Sequence, residues 1–251
     1  MSNDSEKNPD YWVNMGFSLT LEGKDEQAKK YYKKALELDP DNIAALINLG
    51  KGARQPGELE ESKKHLFRAI EIDPNIVEAW INLGVVYGLE KNLEEEVSCY
   101  SKALELDPSR AETWHNRGRI IKEKKMYNFA IADYNESLRL RPNHIGTLYD
   151  KAFAHFSLAE YDEANKCYDR ILELDPNHSD SISDKGAILC NKGKYKEGIR
   201  FFDLALRIDK QNVRILRNKA KVVRILGDNE NADKCDEEAD TIESNHQDKK
   251  Y

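Results

Sequence analysis

The chain has 251 residues, 34% of them charged, and a net charge of −7. The acidic balance argues against nucleic acid and anionic membranes as partners of the whole surface. There is no apolar run of about eighteen residues, so no membrane-spanning helix is expected, and the polar opening from Met1 to Asn8 has no secretory signal, which makes the cytoplasm the expected compartment.

The first predicted element begins at Pro9. Trp12, Met15, Gly16 and Leu19 share one side of a helix that turns 100° per residue. A turn follows at Gly23, and a second helix carries Ala28, Tyr32 and Ala35 on one face. Pro40 ends it, because proline lacks an N–H and crowds the preceding turn. This two-helix unit then recurs down the chain. Pro40, Pro74, Pro108, Pro142 and Pro176 are 34 residues apart, and Trp12, Trp80 and Trp114 are 34 or 68 apart. Gly16, Gly50, Gly84, Gly118 and Gly186 keep the same clock, with Ala152 and Ala220 in the two vacant slots. The small residue lets paired helices approach closely, and Gly23, Gly57, Gly193 and Gly227 give the turns conformational freedom. Such a hairpin cannot bury its apolar face alone, so the units must stack.

A 34-residue unit with this pattern resembles the tetratricopeptide repeat. The third unit shows it best, with Trp80, Leu83, Gly84, Tyr87, Tyr100, Ala103 and Pro108 in the signature slots. The units span 9–42, 43–76, 77–110, 111–144, 145–178, 179–212 and 213–243. The resemblance implies an all-α fold, a right-handed superhelical solenoid of antiparallel helix pairs whose first helices line a concave groove. It also implies a role in binding another protein. Residues 1–8 and 244–251 are expected to be disordered tails.

Some positions depart from the pattern. Glu96 fills a slot that is alanine in units one, four, five and seven; a buried unpaired carboxylate is costly, so it is expected to reach solvent or a partner. Lys210 replaces the punctuating proline after unit six. Unit seven has Asp236 where the others have tyrosine, leucine or phenylalanine, and its acidic stretch from Asp228 to Glu243 reads as a terminal cap with a polar outer face. The cysteines form no CxxC pair; Cys99, Cys167 and Cys235 fit small, partly buried helix residues. The histidines form no metal-ligand cluster, so no metal or other cofactor is expected.

The sixth position of successive units reads Asn14, Asn48, Asn82, Asn116, Asp150, Asp184 and Asn218. An amide both donates and accepts, so this ladder either holds the backbone of an extended ligand or bonds a neighbouring helix as part of the generic repeat. Similar asparagines line the grooves of Hsp70/Hsp90 co-chaperones. Positions five, nine and twelve fall within about 60° of arc and should face the groove. They supply Lys51 and Arg54 in unit two, and Ile81, Val85 and Gly88 in unit three. Unit four contributes His115, Arg119 and Lys122, and unit five the aromatic row Tyr149, Phe153 and Phe156. Unit seven has Arg217, Lys221 and Arg224, extended by Arg214. The aromatic row is either a contact site or packing between adjacent first helices. The basic rows either pair with ligand carboxylates or form a solvated face.

These residues predict a scaffold or adaptor for an extended or helical protein segment with acidic and apolar side chains. Two other readings stay open. A co-chaperone module for Hsp70 or Hsp90 tails uses a lysine at position five, which is absent here. A single-stranded RNA reader would use the basic and aromatic rows but would meet Asp150, Asp184 and the negative net charge. Self-association, with the acidic end of one copy in the basic groove of another, would draw on the same residues. No nucleophile–base pair, phosphate loop or small-molecule site is indicated, so no enzyme is expected.

Overall fold

A computed structural model of the chain describes residues 8–51 and 56–248. Every regular element among them is an α-helix. In order these are α1 (Pro9–Leu21), α2 (Asp25–Leu38), α3 (Ile43–Lys51), α4 (Pro56–Ile72), α5 (Val77–Leu89), α6 (Leu93–Leu106) and α7 (Ala111–Glu123). There follow α8 (Tyr127–Leu140), α9 (Ile145–Ser157), α10 (Tyr161–Leu174), α11 (Ser179–Asn191), α12 (Tyr195–Ile208), α13 (Val213–Ile225) and α14 (Asn229–Asp248). None of the described helices is long and apolar enough to cross a membrane.

The chain divides into two compact units, Met1–Met126 and Tyr127–Tyr251. In the first, α1 packs with α2, α3 with α4 and α5 with α6; each pair packs on the next, and α7 packs on α6. In the second, α8 packs on α9, and α9 with α10, α11 with α12 and α13 with α14 form the pairs.

Position eight closes each pair, as its small side chains require. A Cβ added to Gly16 would lie 2.6 Å from the Tyr32 ring, and one on Gly84 would lie 2.9 Å from Tyr100. Ala28, Tyr32 and Ala35 are buried together, and Tyr168 and Phe202 are equally enclosed in their own pairs. The tryptophans tie units to their predecessors: Trp80 and Trp114 donate their ring N–H to the carbonyls of Pro74 and Pro108, each at 2.9 Å. The cysteines are free and buried, and burial pushes the Cys99 thiol up to about 12.

The turn inside each unit shows a rule that glycine content obscures. Position fifteen takes positive φ in Gly23, Gly193 and Gly227, but also in Lys91, Lys125 and Ala159. Gly57, expected to loosen a turn, is instead helical, in the first turn of α4 after Pro56. A proline there presets a helical start, so the chain is already turning at Gly57.

The breaks between units depend on aspartate as much as proline. Asp39, Asp73, Asp107 and Asp175 each accept the backbone N–H two residues on, at 2.9–3.1 Å. These turns fold the chain back by themselves. Asp209 makes the same bond to Gln211 at 3.3 Å, so α12 still ends at Ile208 although Lys210 stands where proline was expected.

The ends differ from expectation. Asn8, expected in the N-terminal tail, caps α1 by accepting from the Asp10 N–H; the rest of that expected tail, residues 1–7, lies outside the described residues. At the other end α14 passes residue 243 and continues to Asp248. Within it, the Thr241 and Ser244 hydroxyls donate to the carbonyls of Glu237 and Asp240, one turn back. Residues 249–251 lie outside the described residues.

Candidate functional site

The predicted contact rows do not behave alike. Position nine stands out into solvent: Phe17, Lys51, Val85, Arg119, Phe153 and Lys221 are all exposed. Positions five and twelve are mostly half-buried or buried, Arg224 being exposed, and position twelve meets the second helix of its own pair at several repeats. Thr20 meets Tyr32 through their hydroxyls at 3.0 Å, and a Cβ on Gly88 would lie 2.7 Å from a carboxylate oxygen of Glu96. His115, Lys122 and Phe156 are half-buried. Arg54 lies outside the described residues. On the ladder, Asn14 is exposed while Asn48, Asn82, Asn116, Asp150 and Asn218 are half-buried; Asn48 donates to the carbonyl of Ala44 in its own helix at 2.8 Å.

In the second unit six of the predicted residues converge. Phe153, Phe156, Asp184, Arg214, Asn218 and Lys221 line one pocket of about 370 Å³, walled by α9 to α13 and completed by Ala187, Asn191 and Val222. Its floor is a polar network. Asp184 is 7% exposed and accepts from Arg214 at 2.5 Å, from the Tyr149 hydroxyl at 2.7 Å and from the Tyr168 hydroxyl at 3.3 Å. Arg214 reaches on to Asp180 at 2.7 Å. Burial, with the Asp184 charge beside them, holds both tyrosine hydroxyls well above their ordinary range, so they stay protonated donors. Asp184, Arg214 and Tyr149 were expected as ligand contacts, but they are occupied with one another. Desolvation explains the change: a carboxylate this enclosed needs donors, and the neighbouring helices supply them. Tyr149 thus leaves the aromatic row, and Phe156 packs edge-on against Tyr161 at 5.7 Å. Phe153 remains 42% exposed among the lining residues, and Lys221, also exposed, lines the same pocket from α13.

The basic row of the seventh repeat also turns inward. Arg217 bonds Asp236, Asp240 and Glu243, and Arg224 bonds Asp233 and Asp236. Both were expected to face a ligand; both instead lie on the side of α13 nearest α14, whose acidic residues pair with them. Asp236, the departure from the aromatic slot, is the residue shared by the two arginines, and the bond from Arg224 holds its carboxyl below the usual range. The acidic end therefore satisfies its own unit's arginines. Lys221 is the exposed member of the row that lines the pocket without an ion pair among the described residues.

The first unit has a second pocket, of about 580 Å³, between α5, α6 and α7. Asn116 and Arg119 were predicted; Glu96 and Glu123 were not assigned to a site. Burial, together with the nearby Glu123 charge, pushes the Glu96 carboxyl up to about 7, against an ordinary value of 4.5. Its placement could have been read from a paired change in sequence: Glu96 replaces a small residue in α6 just where Gly88 removes a side chain from α5.

Comparison with known proteins agrees with this architecture. Tetratricopeptide repeat models match residues 9–42, 77–110, 111–144, 146–178 and 167–200. No curated protein matches the chain. Among solved structures, a tetratricopeptide repeat protein from Parabacteroides merdae is 17% identical and superposes with a TM-score of 0.70 over 96% of this chain and 94% of its own. Pseudomonas aeruginosa pilF is 25% identical, with a TM-score of 0.62 over 78% and 89% of the two chains. YrrB, described as a TPR protein with an unusual peptide-binding site, is 20% identical, with a TM-score of 0.67 over 75% and 97%. Signature residues, helix pairing, repeat models and structural relatives agree: the chain belongs to the tetratricopeptide repeat family.

Proposed function

We propose that this protein is an interaction scaffold and that the pocket of its second unit receives a segment of a partner protein through an apolar side chain next to a carboxylate. The observation that carries this reading is that exposed Phe153 on α9 and exposed Lys221 on α13 line the same pocket, with a buried polar network already satisfied by its own hydrogen bonds. A satisfied floor does not compete for the ligand's polar groups, so Lys221 is left to pair with an incoming carboxylate and Phe153 and Phe156 to bury an apolar group. Asn218, one turn from Lys221 and on the same wall, can bond a ligand backbone. The peptide-binding site described for YrrB is consistent with this use of the fold. Affinity for a short segment should be roughly micromolar, with salt sensitivity carried by Lys221.

The test uses the full chain and two pools of labelled nine-residue peptides, one with a central Glu-Phe and one with a central Gln-Phe, read by fluorescence anisotropy. The Glu-Phe pool should bind more tightly, and Lys221→Glu should weaken it about tenfold while leaving the Gln-Phe pool little changed. Equal binding of the two pools by the wild-type chain would remove the acidic part of the reading. Unchanged binding in Phe153→Ala would remove the pocket itself.

A further inference from the structure

The seam between the paired helices holds one sizeable side chain at the level of positions twelve and twenty. In the α11–α12 pair the first helix supplies it: a Cβ on Gly198 would run into the Cys190 sulfur. In the α1–α2 pair Thr20 stands on the first helix and Ala28 on the second, and Thr20 contacts Tyr32. The α5–α6 pair reverses the arrangement. Gly88 contributes nothing, and the Glu96 side chain of α6 lies against its backbone, with both carboxylate oxygens within 3.1 Å of where a Cβ would be.

This reversal opens the pocket of the first unit and puts a carboxylate in it. Exposed Val85 and Leu89, 46% and 52% accessible, form an apolar lip with Ile120. The Glu96 carboxylate has no hydrogen bond or ion pair with any described residue, although the side chain is half-buried. The charged and titratable groups around it are Glu123 and Arg119 on α7, Lys91 in the turn, and Tyr100 and Cys99 on α6; α5 brings none to the pocket. Glu123 adds to the negative potential at Glu96 and Arg119 only partly offsets it. A half-buried carboxylate without a donor is unfavourable in the free protein and becomes favourable when a cation with an apolar stem arrives.

We propose that the pocket of the first unit is a recognition site for a lysine or arginine side chain of a partner protein, whose methylene stem lies on Val85, Leu89 and Ile120 and whose charged end pairs with Glu96. It rests on the scaffold reading only in taking the occupant to be a protein segment; the side-chain class it selects is opposite to that of the second unit's pocket. The free carboxyl titrates near 7, so binding the cation displaces a proton at acidic pH. Affinity should therefore climb as pH rises through about 7 and level off above it.

The probes are two pools of labelled nine-residue peptides built from Ala, Ser, Leu and Tyr, with the central residue fixed as lysine in one and norleucine in the other. Anisotropy is measured with the full chain at pH about 8 and about 5.5. At the higher pH the lysine pool should bind about tenfold more tightly than the norleucine pool, and this preference should shrink at the lower pH. Glu96→Gln keeps the pocket's shape and should abolish both the preference and its pH dependence. The double variant Gly88→Thr/Glu96→Ala rebuilds the arrangement of the α1–α2 pair, so it should fold, as circular dichroism will report, and lose the preference too. No lysine preference in the wild-type chain, or a preference kept in Glu96→Gln, overturns the proposal. The acidic pool is read separately, so its failure would strike the second unit's pocket and leave this result standing.

Discussion

The two pockets share repeat positions six, nine, twelve and twenty-four and solve opposite electrostatic problems. In the second unit a carboxylate from the ladder, Asp184, is buried and surrounded by three donors, so its charge is used up inside the fold. In the first unit a carboxylate from the seam, Glu96, is half-buried and has no donor among the described residues. One is structural because its hydrogen bonds are complete; the other is available because they are not. The repeat fixes where side chains stand, and hydrogen-bond satisfaction decides which of them can serve a ligand.

The most forceful way to break that contrast is to empty the satisfied site. Asp184→Ala removes the acceptor shared by Tyr149, Tyr168 and Arg214, leaving two enclosed hydroxyls without their acceptor and a guanidinium that keeps Asp180 and its 3.3 Å bond to the Tyr149 hydroxyl. The second unit should lose about 2–3 kcal/mol, the lower end applying because Arg214 is partly open to solvent. Urea unfolding followed by tyrosine near-ultraviolet circular dichroism will measure it. A loss below about 0.5 kcal/mol would mean that the network contributes geometry without stability.

The unsatisfied site should respond in the opposite direction and to pH. Unfolded, the Glu96 carboxyl titrates near 4.5; folded, near 7. Between those values the folded chain holds a proton that the unfolded chain has released, so stability falls as pH rises through that window and is flat above it. Glu96→Ala should erase this slope and raise stability at pH about 8 by about 1 kcal/mol or less, since solvent reaches the group. Trp12, Trp80 and Trp114 all belong to the first unit, so tryptophan fluorescence reads the change. The same slope in wild type and variant would show that Glu96 is better solvated than its surroundings indicate.

Much of this molecule is legible in the sequence because the repeat makes local and tertiary signals coincide. A glycine at position eight, an aromatic residue at position twenty-four and a proline between units describe one packing event from three places, and Gly84, Tyr100 and Pro108 behave accordingly. The candidate sites are less legible, since arc position on a helix says which way a side chain leaves but not what it meets. Arg217, Arg224 and Tyr149 point toward the groove by arc alone, yet each is engaged by a partner elsewhere in the chain: Asp236 for the arginines and Asp184 for the tyrosine. Such pairings depend on residues 12 to 35 positions apart, in different helices. Glu96 was visible as a misfit, but its meaning needed Gly88 beside it.

The smallest expected effect concerns the turns, where the two units can be compared without touching either pocket. Outside the second repeat, where Gly57 is helical, position fifteen takes a left-handed backbone whatever residue occupies it, and Ala159 adopts φ of 60° in the second unit as Lys91 and Lys125 adopt 59° in the first. An alanine there brings its Cβ close to the following carbonyl oxygen, at a cost of about 1 kcal/mol, whereas glycine has no Cβ to crowd. Against this, glycine gives the unfolded chain more freedom, which returns part of the gain. Ala159→Gly should thus stabilise the second unit by about 0.5 kcal/mol, and Lys125→Gly the first by a similar amount. Urea midpoints of the two single variants and their double will test it. A destabilising result would show that the methyl of Ala159 or the stem of Lys125 makes contacts worth more than the backbone strain, and that the turns are held by side-chain packing rather than by the conformation of one residue.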